Sequence, residues 1–150
     1  LMESNPAEDR EALELMKHPR SVVTFSDSGA HVSQIMDSSL QTHLLSHWVR
    51  EKQAFTLEEA VKMLTCDSAT QFGFHDRGLL REGLAADIVV FDEGTVGARM
   101  PEVVTDLPAG AKRLKQKCDG MAATIVNGQV LLRDNEPTGN LPGKLLRKRR

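Results

Sequence analysis

The sequence predicts an α/β protein in which a helical half gives way, at about Gly73, to a strand-rich half. Three observations carry this reading. Between Pro6 and Phe72 apolar residues recur at helical spacing around one short β-branched run, Val22 to Phe25. From Phe74 onward the spacing becomes strand-like. Two apolar runs are then joined by Asn127-Gly128, a dipeptide suited to the two positive φ angles of a tight hairpin turn. These observations set the expected organisation: 1–73 as one unit, 74–134 as a second, and 135–150 as a basic, flexible tail.

The first helix announces itself by Asn5 as N-cap, Pro6 at the first helical position, and Glu8 and Asp9 in the opening turn. Leu13 and Met16 share a face beside Ala12, and His18-Pro19 marks the stop. Val22, Val23, Thr24 and Phe25 then suit a buried strand, which Ser26, Ser28 and Gly29 break. Asp27 sits where the backbone leaves that strand. Leu40, Leu44 and Trp48 repeat at i, i+4, i+8, predicting a helix from about Leu40 to Lys52. Thr56 with Glu59 forms a capping box for the next helix, whose apolar face is Leu57, Ala60, Val61 and Leu64. A helical turn through Ala69 and Phe72 is expected to end at Gly73.

In the second half, Ile88 to Phe91 reads as a strand, as do Ala122 to Val126 and Gln129 to Arg133. Gly94 to Gly110, with Pro101 and Pro108, reads as loop. Beyond Asn135 the run of Pro137, Gly139, Pro142 and Gly143 predicts fading order.

Composition excludes several classes. The 150 residues are enough for one ordinary core, and 40% hydrophobic with 27% charged residues are the proportions of a globular chain, not a disordered one. No apolar run approaches the roughly 18 residues of a membrane span, and no basic-then-apolar leader opens the sequence. The net charge of −2 is uneven, with Lys144, Arg147, Lys148, Arg149 and Arg150 crowding the last seven residues. Without interleaved aromatic residues this end reads as a solvated tail and not a nucleic-acid surface. Cys66 and Cys118 lack a CxxC partner, so neither a zinc motif nor a disulfide framework is expected, and reduced thiols point to a cytoplasmic setting.

The residues of the Ser26-to-His31 turn carry the chemistry. A carboxylate at the C-terminal mouth of a strand is how α/β barrels present catalytic groups, while the competing reading of Asp27 is a turn cap. His31, four residues on, orients Asp27 or touches substrate, or else faces solvent. Ser26 and Ser28 can donate hydrogen bonds to the carboxylate. Ser28 is no nucleophile, because the turn lacks the GxSxG elbow. Arg50 is a candidate clamp for a substrate carboxylate or a solvated helix residue. His43 and His47 have the i, i+4 spacing of a metal clamp but no Glu beside His43. They flank the buried stripe of an outer helix, so a non-ligand role is expected.

Four motifs occur in order: VVTFSDSGAHV from Val22 to Val32, HDRGLLREGLAADIVVFD from His75 to Asp92, DLPAG from Asp106 to Gly110, and VNGQV from Val126 to Val130. Together they resemble the amidohydrolase superfamily, in particular its N-acyl-D-amino-acid deacylase (D-aminoacylase) branch. The resemblance implies the C-terminal end of a TIM-like barrel, with its last strand and flanking helices, followed by part of a small β-sandwich. A whole barrel takes about 250 residues, and the chain opens on Leu1, so a fragment of a larger protein is expected, its partner being the N-terminal barrel segment. The resemblance also implies a divalent metal, Zn2+, in the complete protein and hydrolysis of the amide of an N-acyl-D-amino acid. No HxH pair occurs, so of the family's metal-site residues only the last-strand acid, carried onto Asp27, is expected here, as proton shuttle and metal ligand. The substrate-facing candidates are His31, Ser28 and Arg50. Two rivals stand beside this reading: an amidohydrolase of cyclic amides, of the hydantoinase or dihydropyrimidinase kind, and a noncatalytic truncated paralogue serving as a binding module.

Overall fold

The computed structural model describes residues 5–24, 26–31 and 38–147. Helix α1 spans Pro6–Lys17 and begins as its sequence dictates. The Asn5 side chain accepts from the Ala7 amide at 3.1 Å, relieving one of the unpaired amides of the first turn. Ala12, Leu13 and Met16 face the hydrophobic core, and Lys52 Nζ, 2.7 Å from Asp9 Oδ2, ties α1 to the end of the next helix.

That helix, α2, runs Leu40–His43 and widens into a π-helical segment, Leu44–Glu51. Leu44, Leu45 and Trp48 are buried on its inner face. Helix α3, Leu57–Lys62, opens with both bonds of the expected capping box: Glu59 N donates to Thr56 Oγ1 at 3.2 Å, and Thr56 N donates to Glu59 Oε2 at 2.8 Å. A second π-helical segment, Met63–Asp67, carries the rod into α4, Ser68–Phe72, which Gly73 closes in the left-handed conformation. With Ala60 fully enclosed, these helices and α1 surround a small core to which the second half contributes Val96.

The expected strand from Val22 is corrected. Val22, Val23 and Thr24 belong to no sheet, and Phe25 lies outside the described residues. A strand's amides and carbonyls need ladder partners, and among the described residues this run meets only the Ser68 hydroxyl, which donates to Val23 O at 2.7 Å.

The sheet half contains β1, Ile88–Phe91; β2, Gly97–Ala98; β3, Glu102–Val104; β4, Arg113–Lys115; β5, Cys118–Asp119; β6, Met121–Val126; β7, Gln129–Arg133; and β8, Glu136–Pro137. The main sheet is antiparallel in the order β1-β6-β7-β8, with β2 paired to β5 and β3 to β4. The tract from Gly94 to Gly110 is therefore not all loop, and the sheet continues just past Asn135. Strand β8 pairs with β7, and Asn127 Nδ2 donates to Pro142 O at 2.8 Å.

The motifs of the second half act as bracing. Asp87 accepts from Asn127 N through Oδ1 at 2.8 Å and pairs with Arg77 through Oδ2, while Gly128 N donates to Ala86 O at 2.9 Å. The HDRG segment, the strand entry and the hairpin turn thus form one hydrogen-bonded node. Gly78 lets this segment press on α4: an added Cβ would lie 2.9 Å from Ala69 Cβ. In the DLPAG turn, Asp106 takes two parallel bonds from Arg113, each 2.6 Å.

The two halves also meet through Val96 and Arg50. Val96 is buried among the helices, and Gly120 must remain small beneath it, because a Cβ there would lie 2.5 Å from the Val96 nitrogen. Arg50 Nη1 donates to Val96 O at 2.7 Å and to Glu93 O at 3.1 Å.

Candidate functional site

The turn after Thr24 holds two non-glycine residues in the left-handed region, Asp27 at φ 61° and His31 at φ 53°, on either side of Gly29 at φ 90°. Asp tolerates this conformation better than most residues, yet such angles cost free energy and concentrate at functional sites. The turn is closed by Ala30 N donating to Asp27 O at 3.0 Å. Among the described residues the Asp27 carboxylate has no side-chain hydrogen bond or ion pair.

An open concavity of ≈ 530 Å³ lies over this turn. Thr24, Ser26, Asp27, Ser28 and Ala30 form one wall, and Ser38 and Gln41, at the entry to α2, form the other. The structure thus brings together Asp27 and Ser28 of the sequence candidates. It adds Ser38 and Gln41, which lie just ahead of the Leu44–Trp48 stripe and had no motif of their own. Ser38 Oγ also donates to Gln116 Oε1 at 3.0 Å, linking this wall to the segment that follows β4. His31 is exposed and does not line the concavity, and neither does Arg50. With Nη1 holding two main-chain carbonyls, Arg50 acts as a strut between α2 and the loop after β1.

His43 and His47 stack on the outer side of the second helix, with ring centroids 4.8 Å apart and planes inclined by 12°. His47 Nδ1 lies 3.1 Å from Glu51 Oε2. Partial burial, and secondarily the neighbouring His47, push the His43 pKa below the ordinary imidazole value. Burial likewise raises the Cys118 thiol, which makes it a poor nucleophile.

Among the described residues no three His, Cys, Asp or Glu side chains gather as a metal-binding group. A catalytic zinc site needs about three protein ligands, so Asp27 by itself does not make one. What the turn does offer is an accessible carboxylate, unengaged by described neighbours and held beside hydroxyl and amide side chains, suited to accepting and returning a proton.

Residues 10–132 match the model of the family described as "Amidohydrolase family". The chain belongs to the amidohydrolase family. Among curated relatives, it is 37% identical over 107 residues to an N-acyl-D-glutamate deacylase of Alcaligenes xylosoxydans xylosoxydans, covering 71% of this chain and 20% of that protein. It is 38% identical over 106 residues to an N-acyl-D-aspartate deacylase of the same organism, covering 70% of this chain and 19% of the relative. Among solved structures, a D-aminoacylase studied for the functional role of its binuclear metal center superposes with a TM-score of 0.54 at 31% identity, over 68% of this chain and 20% of that one. This amidohydrolase segment therefore spans about a fifth of the length of the relatives it matches.

Proposed function

We propose that this chain is part of a metal-dependent hydrolase that cleaves the amide bond of N-acyl-D-amino acids, with Asp27 as its acid–base group. The observation that carries the assignment is the Asp27 carboxylate, presented at a left-handed turn into an open concavity without a described partner. The family membership and the deacylase names of the relatives give this carboxylate its reaction. In the proposed reaction a water attacks the amide carbonyl and gives a proton to Asp27. Asp27 returns that proton to the amine nitrogen as the C–N bond breaks, leaving a carboxylic acid and a D-amino acid. Ser28, on the same wall, is assigned to hydrogen-bond the carboxylate or the substrate carbonyl. His31, at the far end of the turn, is assigned to contact substrate beyond the concavity.

The described residues do not supply a metal site, so the divalent metal, zinc in this reading, is assigned to donors outside them, with Asp27 at most one ligand. The D-aminoacylase neighbour's binuclear metal center supports metal dependence in general. We also propose that 1–73 belongs to a hydrolase barrel, 74–134 to a β-sandwich and 135–150 to a tail, and that the missing barrel segment is this chain's structural partner. No helix among the described residues is long and apolar enough to cross a membrane. With Cys66 and Cys118 both unbridged, a cytoplasmic setting is the reading adopted.

The test is a substrate panel offered to the complete protein: N-acyl-D-amino acids, their L-enantiomers, and cyclic amides of the hydantoin and dihydropyrimidine type. Selective release of D-amino acids is expected. Turnover confined to the cyclic amides would move the assignment to the other branch, and no turnover by the metal-loaded protein would favour the binding-module reading.

A further inference from the structure

We propose that Ser38 accepts a hydrogen bond from the N–H of the substrate amide, and that Gln116, from the second half of the chain, turns the Ser38 hydroxyl for that task. The inference rests on the reading of Asp27 as the acid–base group. Ser38 lines the concavity on the wall opposite Asp27. The direction of its hydroxyl follows from a chain of bonds that begins in the sheet half. Arg99 N donates to Lys117 O at 3.0 Å, beside the pairing of Ala98 with Cys118, so Arg99 is fixed at the end of the β2–β5 ladder. The Arg99 carbonyl can only accept. The nitrogen end of half-buried Gln116 therefore faces it, Nε2 donating to Arg99 O at 2.8 Å. The other end of that side chain is then the oxygen, Oε1, which lies 3.0 Å from Ser38 Oγ and also only accepts. Ser38 gives it its one hydroxyl hydrogen.

A hydroxyl so held meets any further neighbour only as an acceptor, and its oxygen has room for two such bonds. In the concavity it therefore suits a donor and not a carbonyl. The scissile bond of an N-acyl-D-amino acid offers one donor, the amide N–H. Bound to Ser38, that hydrogen faces one wall. As water attacks the carbonyl, the nitrogen turns pyramidal and its lone pair forms away from the held hydrogen, toward the wall that carries Asp27. Asp27 places its proton on that lone pair as the C–N bond breaks. Ser38 thus orients the leaving nitrogen without exchanging a proton itself.

The experiment compares, in the complete metal-loaded protein, an N-acyl-D-amino acid with the ester analogue in which oxygen replaces the N–H. Ser38→Ala is expected to lower kcat/KM on the amide by about 5- to 10-fold, the size of one hydrogen bond, and to leave the ester nearly unchanged. Gln116→Met keeps the side-chain length, loses both bonds, and should show the same selective loss. Combined with Ser38→Ala it should add nothing, since it acts through that hydroxyl. Ser38→Thr keeps the hydroxyl and should keep the amide preference. Circular dichroism checks that each variant is folded. Equal losses on amide and ester, or a normal amide rate in folded Ser38→Ala, would overturn the role of Ser38. Additive losses in the double variant would overturn the link from Gln116. Asp27→Asn should depress both substrates alike, so a failure of the acid–base reading appears in that variant, and a failure of the Ser38 assignment in the amide-to-ester ratio.

Discussion

The turn at Asp27 and the turn at Asn127-Gly128 both carry a non-glycine residue at left-handed φ, and they are supported in opposite ways. Asn127, at φ 48°, is fixed by its amide to Asp87, by its side chain to Pro142 O, and by the following amide to Ala86 O. Asp27, at φ 61°, has one backbone bond across its turn and a carboxylate with no partner among the described residues. The hairpin turn offsets its backbone cost with bonds that hold the sheet together. At Asp27 the described residues supply no such bonds, which fits the proposed role of the carboxylate in the reaction better than a bracing role.

This contrast can be broken from the braced side first. Asp87→Ala removes the acceptor of both Arg77 and the Asn127 amide, and an expected loss of about 2 kcal/mol reflects a charged hydrogen bond and a stranded donor. Denaturant unfolding measures it. An unchanged midpoint would show that the node is not structural. Asn127→Ala keeps the main-chain bonds but puts a Cβ residue with no local polar contact at left-handed φ, for an expected cost of about 1 kcal/mol.

On the open side the expectation reverses. Asp27→Gly relieves the left-handed conformation without breaking a described side-chain bond, so stability should rise or stay within about 1 kcal/mol. A loss comparable to that of Asp87→Ala would make Asp27 a structural cap after all.

The smallest effect concerns the rim of the braced half. Lys117 beside Glu136 and Arg113 beside Asp106 hold both carboxyls below their ordinary pKa values. A carboxyl lowered in the folded state contributes stability that is fully present above its unfolded value, near pH 4, and is lost as pH falls through the lower folded value. These pairs are exposed, so the contribution is small. Glu136→Gln should narrow the gap between stability at neutral and at strongly acidic pH, as read by unfolding at several pH values. An unaltered pH profile would remove the Lys117 pair from the account.

Much of the helical half was legible because its signals are local. Asn5, the Thr56–Glu59 box, Gly73 and the Leu44–Trp48 stripe each act within a few residues, and each appears where the sequence places it. Ile88–Phe91 and the Asn127-Gly128 hairpin were legible for the same reason. The pairings of β2 with β5 and β3 with β4 were not, since strands of two or three residues carry no periodicity and their partners lie far along the chain. Strand β8 was hidden by Pro137, which suits a sheet edge as well as a tail. The Val22 run carried strand-forming residues, but propensity without ladder partners makes no strand. In the site, Asp27 stood out as an acid in a small-residue turn. Ser38 and Gln41 reach it only through tertiary folding, and Arg50 gave no sequence sign that its guanidinium would be engaged by Glu93 and Val96.

The central claim, that Asp27 moves a proton and does not merely cap a turn, is tested most directly by Asp27→Asn in the complete metal-loaded protein, assayed on an N-acyl-D-amino acid. Asparagine keeps the size, the turn preference and a hydrogen-bond acceptor, but it can neither take the proton from water nor return it to the departing nitrogen. Turnover is expected to fall by about 100- to 10,000-fold while the unfolding midpoint stays put and KM changes far less. Near-normal turnover by the folded, metal-loaded variant would contradict it.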